Sequence, residues 1–185
     1  MRASRSDKNR LRRIAALALG LSLAVWTGSL RAEGIEAELK AAFIFNFAKY
    51  VDWPEATLNA NPGKLDLCLI GRKNTMFDEL QAMDGKPIRN RKLQVRPMAL
   101  GDNLKSCQML VVDENETANF DLILRGVDKS PVLTVNGSSR FLDAGGMISL
   151  ISENDRMRFD INLSATRRNN LALSPNLLKL ARKVR

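Results

Sequence analysis

The sequence predicts a single compact α/β domain: a mixed β-sheet flanked by helices, closing on a C-terminal antiparallel hairpin. Three observations carry that prediction. Short apolar runs of strand length alternate with helical segments from about residue 35 onward. MISLISENDRMRFDINL reads as two strand arms around a polar turn. Internal repeats, low-complexity tracts and interdomain linkers are absent from the 185 residues, a length suited to one domain.

The first thirty-odd residues stand apart from that fold. MRASRSDKNRLRR is basic, IAALALGLSLAVW is uncharged and apolar, and TGSLRA leads into a polar segment. This order is that of a secretory signal peptide over residues 1–32, cleaved after Ala32, with residues 33–185 as the folded domain. The apolar run is short for a bilayer span; an uncleaved anchor is the alternative. The leader holds seven Lys/Arg and one Asp, so the remainder has 22 basic and 19 acidic residues and a net charge of +3. The high pI therefore says little about nucleic acid, and no nucleic-acid partner is expected.

In IEAELKAAFIFNFAKY (35–50), Leu39, Phe43, Phe47 and Tyr50 share one helical stripe. Ala37, Ala41, Ile44 and Ala48 share the opposite one, with Phe45 at its edge. Such a helix needs two packing partners. One is its own core; the other is a second layer of the same domain, a dimer mate or a partner. Pro54 disfavours helix at Trp53, so the helix should stop by Asp52. ATLNANPGK then reads as a polar loop and LDLCLIG (65–71) as a strand. Asn74 or Thr75 caps a helix through Met83. DGKP is a turn, KLQVRPM a strand and CQMLVVD a buried strand. Asn119–Gly126 reads as a helix that Gly126 terminates. PVLTVNG is a strand, and SSRFLDAGG a short helix stopped by glycines. In the second hairpin arm Met157, Phe159, Ile161 and Leu163 share one face, and Arg158, Asp160 and Asn162 the other. SATRRNN is a short helix with Asn170 in the left-handed terminal position. SPNLLKLARKVR is an amphipathic helix with Ser174 as N-cap and Pro175 first inside.

No familiar catalytic pattern is present, so no enzyme activity, cofactor or metal is expected. Histidine is absent, which removes Ser-His and Cys-His nucleophile systems and imidazole metal sites. GSS at 137–139 lacks the second glycine of a nucleophile elbow. DENE at 113–116 lacks calcium-loop spacing. Adjacent carboxylates such as Asp113 and Glu114 are poorly placed for shared acid–base work. Cys68 and Cys107 are expected to pair in an oxidising compartment, with two buried thiols as the alternative. Arg158, Asp160 and Asn162, followed by Arg167 and Arg168, offer a polar row. Arg158 and Asp160 could pair, and the row is either a plain exposed face or a surface for a protein or small anion.

AAFIFNFAKYVDWP, the cysteine-bearing LDLCLIG and KSCQMLVVD, LTVNGSSRFLDAGGMISLI and RMRFDINLSATRRNNLALSPNLLKLARKV together resemble the YfiR family of small periplasmic proteins, over about residues 35–185. The resemblance implies regulation rather than catalysis. YfiR-like proteins are compact, often dimeric α/β domains. They hold down an inner-membrane diguanylate cyclase by binding its periplasmic sensor region, and an OmpA-like outer-membrane lipoprotein sequesters the repressor. The output is cyclic di-GMP and biofilm. Cys68 and Cys107 match the family's fold-stabilising pair; a second pair found in some members is missing here. Asn170–Leu171 stands where relatives commonly have Gly-Leu. An exported regulator could use both faces of its first helix, so Phe45 and its alanine neighbours are candidates for a dimer or partner contact. The competing expectations are a small-ligand receptor using Arg158, Asn162 and Arg167, and a histidine-free enzyme.

Overall fold

The structure, a computed structural model, describes residues 34–185 apart from residue 155. The expected signal peptide lies outside the described residues.

The chain opens with a helix, α1 (34–47). The elements that follow are β1 (Val51–Asp52), α2 (Glu55–Asn59), β2 (Lys64–Ile70), α3 (Thr75–Gln81), β3 (Pro87–Ile88), β4 (Arg91–Met98) and β5 (Met109–Val112). After these come α4 (Phe120–Gly126), β6 (Leu133–Asn136), α5 (Ser139–Asp143), β7 (Ile148–Glu153), β8 (Arg156–Ile161), α6 (Leu163–Arg168), β9 (Ala172–Leu173), α7 (Pro175–Leu180) and β10 (Lys183–Val184). Eight strands form a mixed sheet in the order β10-β8-β7-β6-β5-β2-β4-β3, and β1 and β9 form a small antiparallel pair.

The centre of the sheet is parallel: β4, β2, β5, β6 and β7 all run the same way. From β2 the chain first moves outward to β4, then crosses back to β5 on the other side and continues to β6. The winding direction thus reverses between β2 and β5. In open α/β sheets the crevice beyond the strand C-termini at such a reversal is where ligands bind.

Both faces of the central strands are covered, which explains why LDLCLI and MLVV are nearly uninterrupted apolar runs. Leu65, Leu67 and Leu69 of β2, with Met109 and Val111 of β5, face a core shared with Ile44 and Phe47 of α1. Cys68, Ile70, Leu110 and Val112 face a second core with Phe120 and Ile123 of α4 and Phe141 of α5. The period-2 alternation of the strands divides the residues between the two layers. Trp53 is buried and donates its indole N–H to the Gln108 carbonyl at 3.0 Å.

The expected hairpin is present: β7 and β8 pair antiparallel from Ile148↔Ile161 to Glu153↔Arg156. Asn74 caps α3 by accepting from the Phe77 N–H, Ser174 caps α7 by accepting from the Leu177 N–H, and Asn170 has φ 55°.

Four local expectations are corrected. The polar stretch after Trp53 is not all loop: Pro54 sits at the N-cap of α2, with Glu55 favourably placed in its first turn. The first helix stops before Asp52 as expected, at 47, but the residues after it do not simply lead into a loop: Val51–Asp52 form a strand paired with Ala172–Leu173. Gly126 does not end its helix by a left-handed turn. It is the last helical residue, its Cα side lies against Leu104, and the chain leaves through Val127 at φ −116°. The last helix stops at Leu180, and Lys183–Val184 add a parallel strand beside Asp160–Ile161. Side-chain hydrogen bonds from Arg182 to Asp160 fix that change of direction.

Candidate functional site

Helix α1 settles which of its stripes is the core. Ala41, Ile44 and Ala48 are buried against the sheet, so the alanine stripe is sealed inside this chain. Small side chains there let the helix backbone approach the β-branched and leucine surface closely. The aromatic stripe turns from core to solvent along its width. Phe47 is buried and Phe43 half-buried, whereas Leu39 is 40% exposed and Tyr50 36% exposed.

This second stripe forms one wall of an apolar groove of about 370 Å³. Phe159 of β8 is its floor and Leu177 and Leu180 of α7 its opposite wall. Three rings set the shape: Phe43 meets Phe47 edge-on at 6.2 Å between centroids, Phe47 meets Phe159 at 5.1 Å, and Phe43 meets Phe159 at 6.1 Å. Such interlocked aromatic edges hold a rigid surface. Leu180, at 66% exposed, forms the outer lip. Exposed leucine and tyrosine around a preformed depression mark a surface suited to an apolar anchor from another protein.

The expected contact residue Phe45 lies on the other flank of α1. It is half-buried, packs partly on the core, and carries the Lys49 ammonium 4.8 Å above its ring. Its alanine neighbours are inside the domain, so they are not available to a partner. The open apolar side of α1 is the Leu39–Phe43–Tyr50 side.

The polar row on β8 is dispersed. Arg158 and Arg167 are exposed. Asp160 is buried and takes two hydrogen bonds from Arg182, at 2.9 Å to Oδ1 and 2.7 Å to Oδ2. Arg182 therefore fills the role anticipated for Arg158, and its other nitrogen reaches Glu153 at 3.0 Å. The hydrogen bonds to Asp160 hold the guanidinium pKa above its ordinary value. Asn162 caps α6, accepting from the Ala165 N–H at 3.0 Å. The row thus divides into a fold-closing ion pair, a helix cap and three exposed arginines, Arg158, Arg167 and Arg168.

Cys68 on β2 and Cys107, just ahead of β5, form a disulfide with Cα atoms 5.9 Å apart, fully buried in the second core.

A comparison with known families places nearly the whole described domain. A model described as YfiR/HmsC-like matches residues 37–182. The chain belongs to the YfiR/HmsC-like family. Membership supports a periplasmic regulatory role in general terms; YfiR-like proteins are regulators and are not known as enzymes. Among the described residues, no helix is long and apolar enough to cross a membrane. The matched span begins within α1 and ends at Arg182, so it includes both walls of the groove and the residue that anchors the C-terminal strand.

Residue periodicity showed that α1 had two apolar sides but not which one the sheet would take. The walls supplied by Leu177 and Leu180 depend on the return of α7 across the same face, for which no local signal exists.

Proposed function

We propose that this protein is a periplasmic negative regulator. It binds the periplasmic sensor region of an inner-membrane diguanylate cyclase and lowers cyclic di-GMP and biofilm output. An OmpA-like outer-membrane lipoprotein competes for it, and the repressor acts as a homodimer. Export follows from the N-terminal leader. The observation that carries the docking part of this reading is the groove between α1 and α7, with Leu39, Tyr50 and Leu180 exposed around interlocked phenylalanines.

The test is direct. The purified protein is titrated against the cyclase's periplasmic domain by calorimetry. Phe43→Glu should weaken binding by at least tenfold, since it places a charge in an apolar contact. Phe43 is only half-buried in the free chain, so the circular dichroism spectrum should be retained. Undiminished binding by a folded Phe43→Glu protein overturns the docking surface. Deletion of the gene should raise cyclic di-GMP; unchanged levels overturn the repressor reading itself.

A further inference from the structure

Charge is distributed unevenly along the folded chain. Residues 139–185 hold nine Lys/Arg and four Asp/Glu, whereas residues 33–138 hold thirteen and fifteen. The later segment supplies β7, β8 and β10, which lie together at one side of the sheet. Such asymmetry points to an anionic partner for that side.

The middle of the sheet satisfies its own charges. A cavity of about 310 Å³ lies at the β2–β5 reversal, on the opposite flank of α1 from Leu39. There Lys40 Nζ bridges Glu36 at 3.1 Å and Glu114 at 2.7 Å. Asp113 accepts from the Asn115 N–H at 2.8 Å and from the Asn115 carboxamide at 2.9 Å. Gly71 and Gly137 leave room for these acids, since a Cβ at either position would overlap Asp113 or Glu114. Donors and acceptors match within this cavity, so it selects no ligand.

The basic side is different. Met157, Phe159 and Ile161 of β8 turn toward the α1 core, so the alternation of the strand leaves Arg156, Arg158 and Asp160 on the other face. Asp160 and Glu153 are both held by Arg182, and Asp143 is held by Arg185 at 2.8 Å. Each acid described at this side thus already has an arginine. Glu153 stands opposite Arg156 in the strand register, yet its carboxylate reaches Arg182 instead. Arg156 and Arg158 are exposed and have no acidic partner among the described residues. Lys183 is exposed beside them. It pairs with Asp160 in the register and, with Arg182 and Arg185, lines a hollow of about 220 Å³ on this face.

Two observations choose the partner. Leu39, Tyr50 and Leu180, the exposed apolar groups of the groove, stand on the α1–α7 side of the sheet. Cations and apolar groups therefore do not share one plane, as a surface seated in a membrane requires. Arg156 and Arg158 are two residues apart on one strand, about 7 Å along it, and an extended chain repeats its own side chains at that same interval. Arginine forks suit carboxylates.

We propose that the exposed face of β8 and β10 is a docking surface for an extended acidic segment of another protein. Carboxylates at alternate positions of that segment meet Arg156 and Arg158, and a further one reaches Lys183. The surface is separate from the α1–α7 groove and does not depend on the repressor reading.

The test uses the purified protein and a fluorescent peptide of about twelve residues with glutamate at every second position, the repeat of an extended chain. The peptide should bind saturably by anisotropy at low salt, weaken as salt rises, and shift the backbone amide resonances of Arg156 and Arg158. The Arg156→Gln, Arg158→Gln double variant should bind about fivefold or more weakly, from the loss of two exposed charge pairs. Either single variant keeps the comparison valid if the double variant melts lower. Lys86→Gln with Lys92→Gln removes the same charge at the far edge of the sheet, where both lysines are exposed, and should leave binding within about twofold. Equal losses in the two double variants overturn the proposal, because net charge alone would then explain binding. So does full displacement of the peptide by inorganic phosphate at matched ionic strength, which would mark a small-anion site. Capture of the protein by phosphatidylcholine vesicles with about 25% phosphatidylglycerol, without binding of the peptide, overturns it in favour of a lipid surface.

Discussion

Removing the Cys68–Cys107 link should cost this domain a large share of its stability. The two residues are 39 apart in sequence. Closing a loop of that size in the unfolded chain is worth about 4 kcal/mol on the chain-entropy account. The replacement matters as much as the link. Both cysteines are fully buried beside Ile70, Leu110, Phe120 and Ile123, so serine would add the desolvation of a hydroxyl. The Cys68→Ala, Cys107→Ala double variant avoids that term and leaves only a small packing loss. For a domain of this size each kcal/mol moves the melting temperature by about 2–4 °C, so the drop should be about 8–16 °C. Thermal and urea unfolding, followed by circular dichroism, measure both quantities. The urea m-value should rise as well, because an uncross-linked chain exposes more surface on unfolding. A drop below about 3 °C with an unchanged m-value would refute the reasoning, since it would mean that the unfolded chain gains no freedom from loss of the bond.

Three further outcomes are expected. Gly71→Ala should destabilise by more than about 2 kcal/mol in urea unfolding, because φ is +120° and the new Cβ would overlap Asp113. Trp53→Phe should cost about 1 kcal/mol for its lost hydrogen bond, since the Gln108 carbonyl keeps the Leu133 N–H at 2.9 Å, plus a packing loss from the void the smaller ring leaves in the core. Burial alone would lower the Lys40 pKa, but the hydrogen bonds and charges of Glu114 and Glu36 outweigh it and raise it above 10.5. Its stabilising contribution is therefore fully present below pH 10.5 and is lost as pH rises through the raised folded-state value. Melts across that alkaline range should show a steeper decline for the wild type than for Lys40→Met.

The central layers were legible in the sequence because their signals are local. LDLCLI and MLVV are long enough and apolar enough to be strands covered on both sides, and Asn74, Ser174 and Asn170 carry cap chemistry within four residues. The two-residue strands β1, β9 and β10 carry no period, and their existence depends on partners more than twenty residues away or on the Arg182–Asp160 ion pair. Helical periodicity placed Phe45 at the edge of a stripe correctly. It could not show that Ala41 and Ala48 would be sealed by the sheet, leaving Leu39 and Tyr50 outside. The cavity at the β2–β5 reversal was harder still, since Glu36, Asn74 and Glu114 come together only through strand order. Read singly, DENE is an unremarkable acidic run; Gly71 and Gly137 give it shape.

Helix α1 is a party wall. Leu39 and Phe43 line the hollow on one side of it, Glu36 and Lys40 the hollow on the other. Any occupant that tilts or slides this wall from one side alters the fit on the far side, and thermodynamic reciprocity makes the effect equal in both directions.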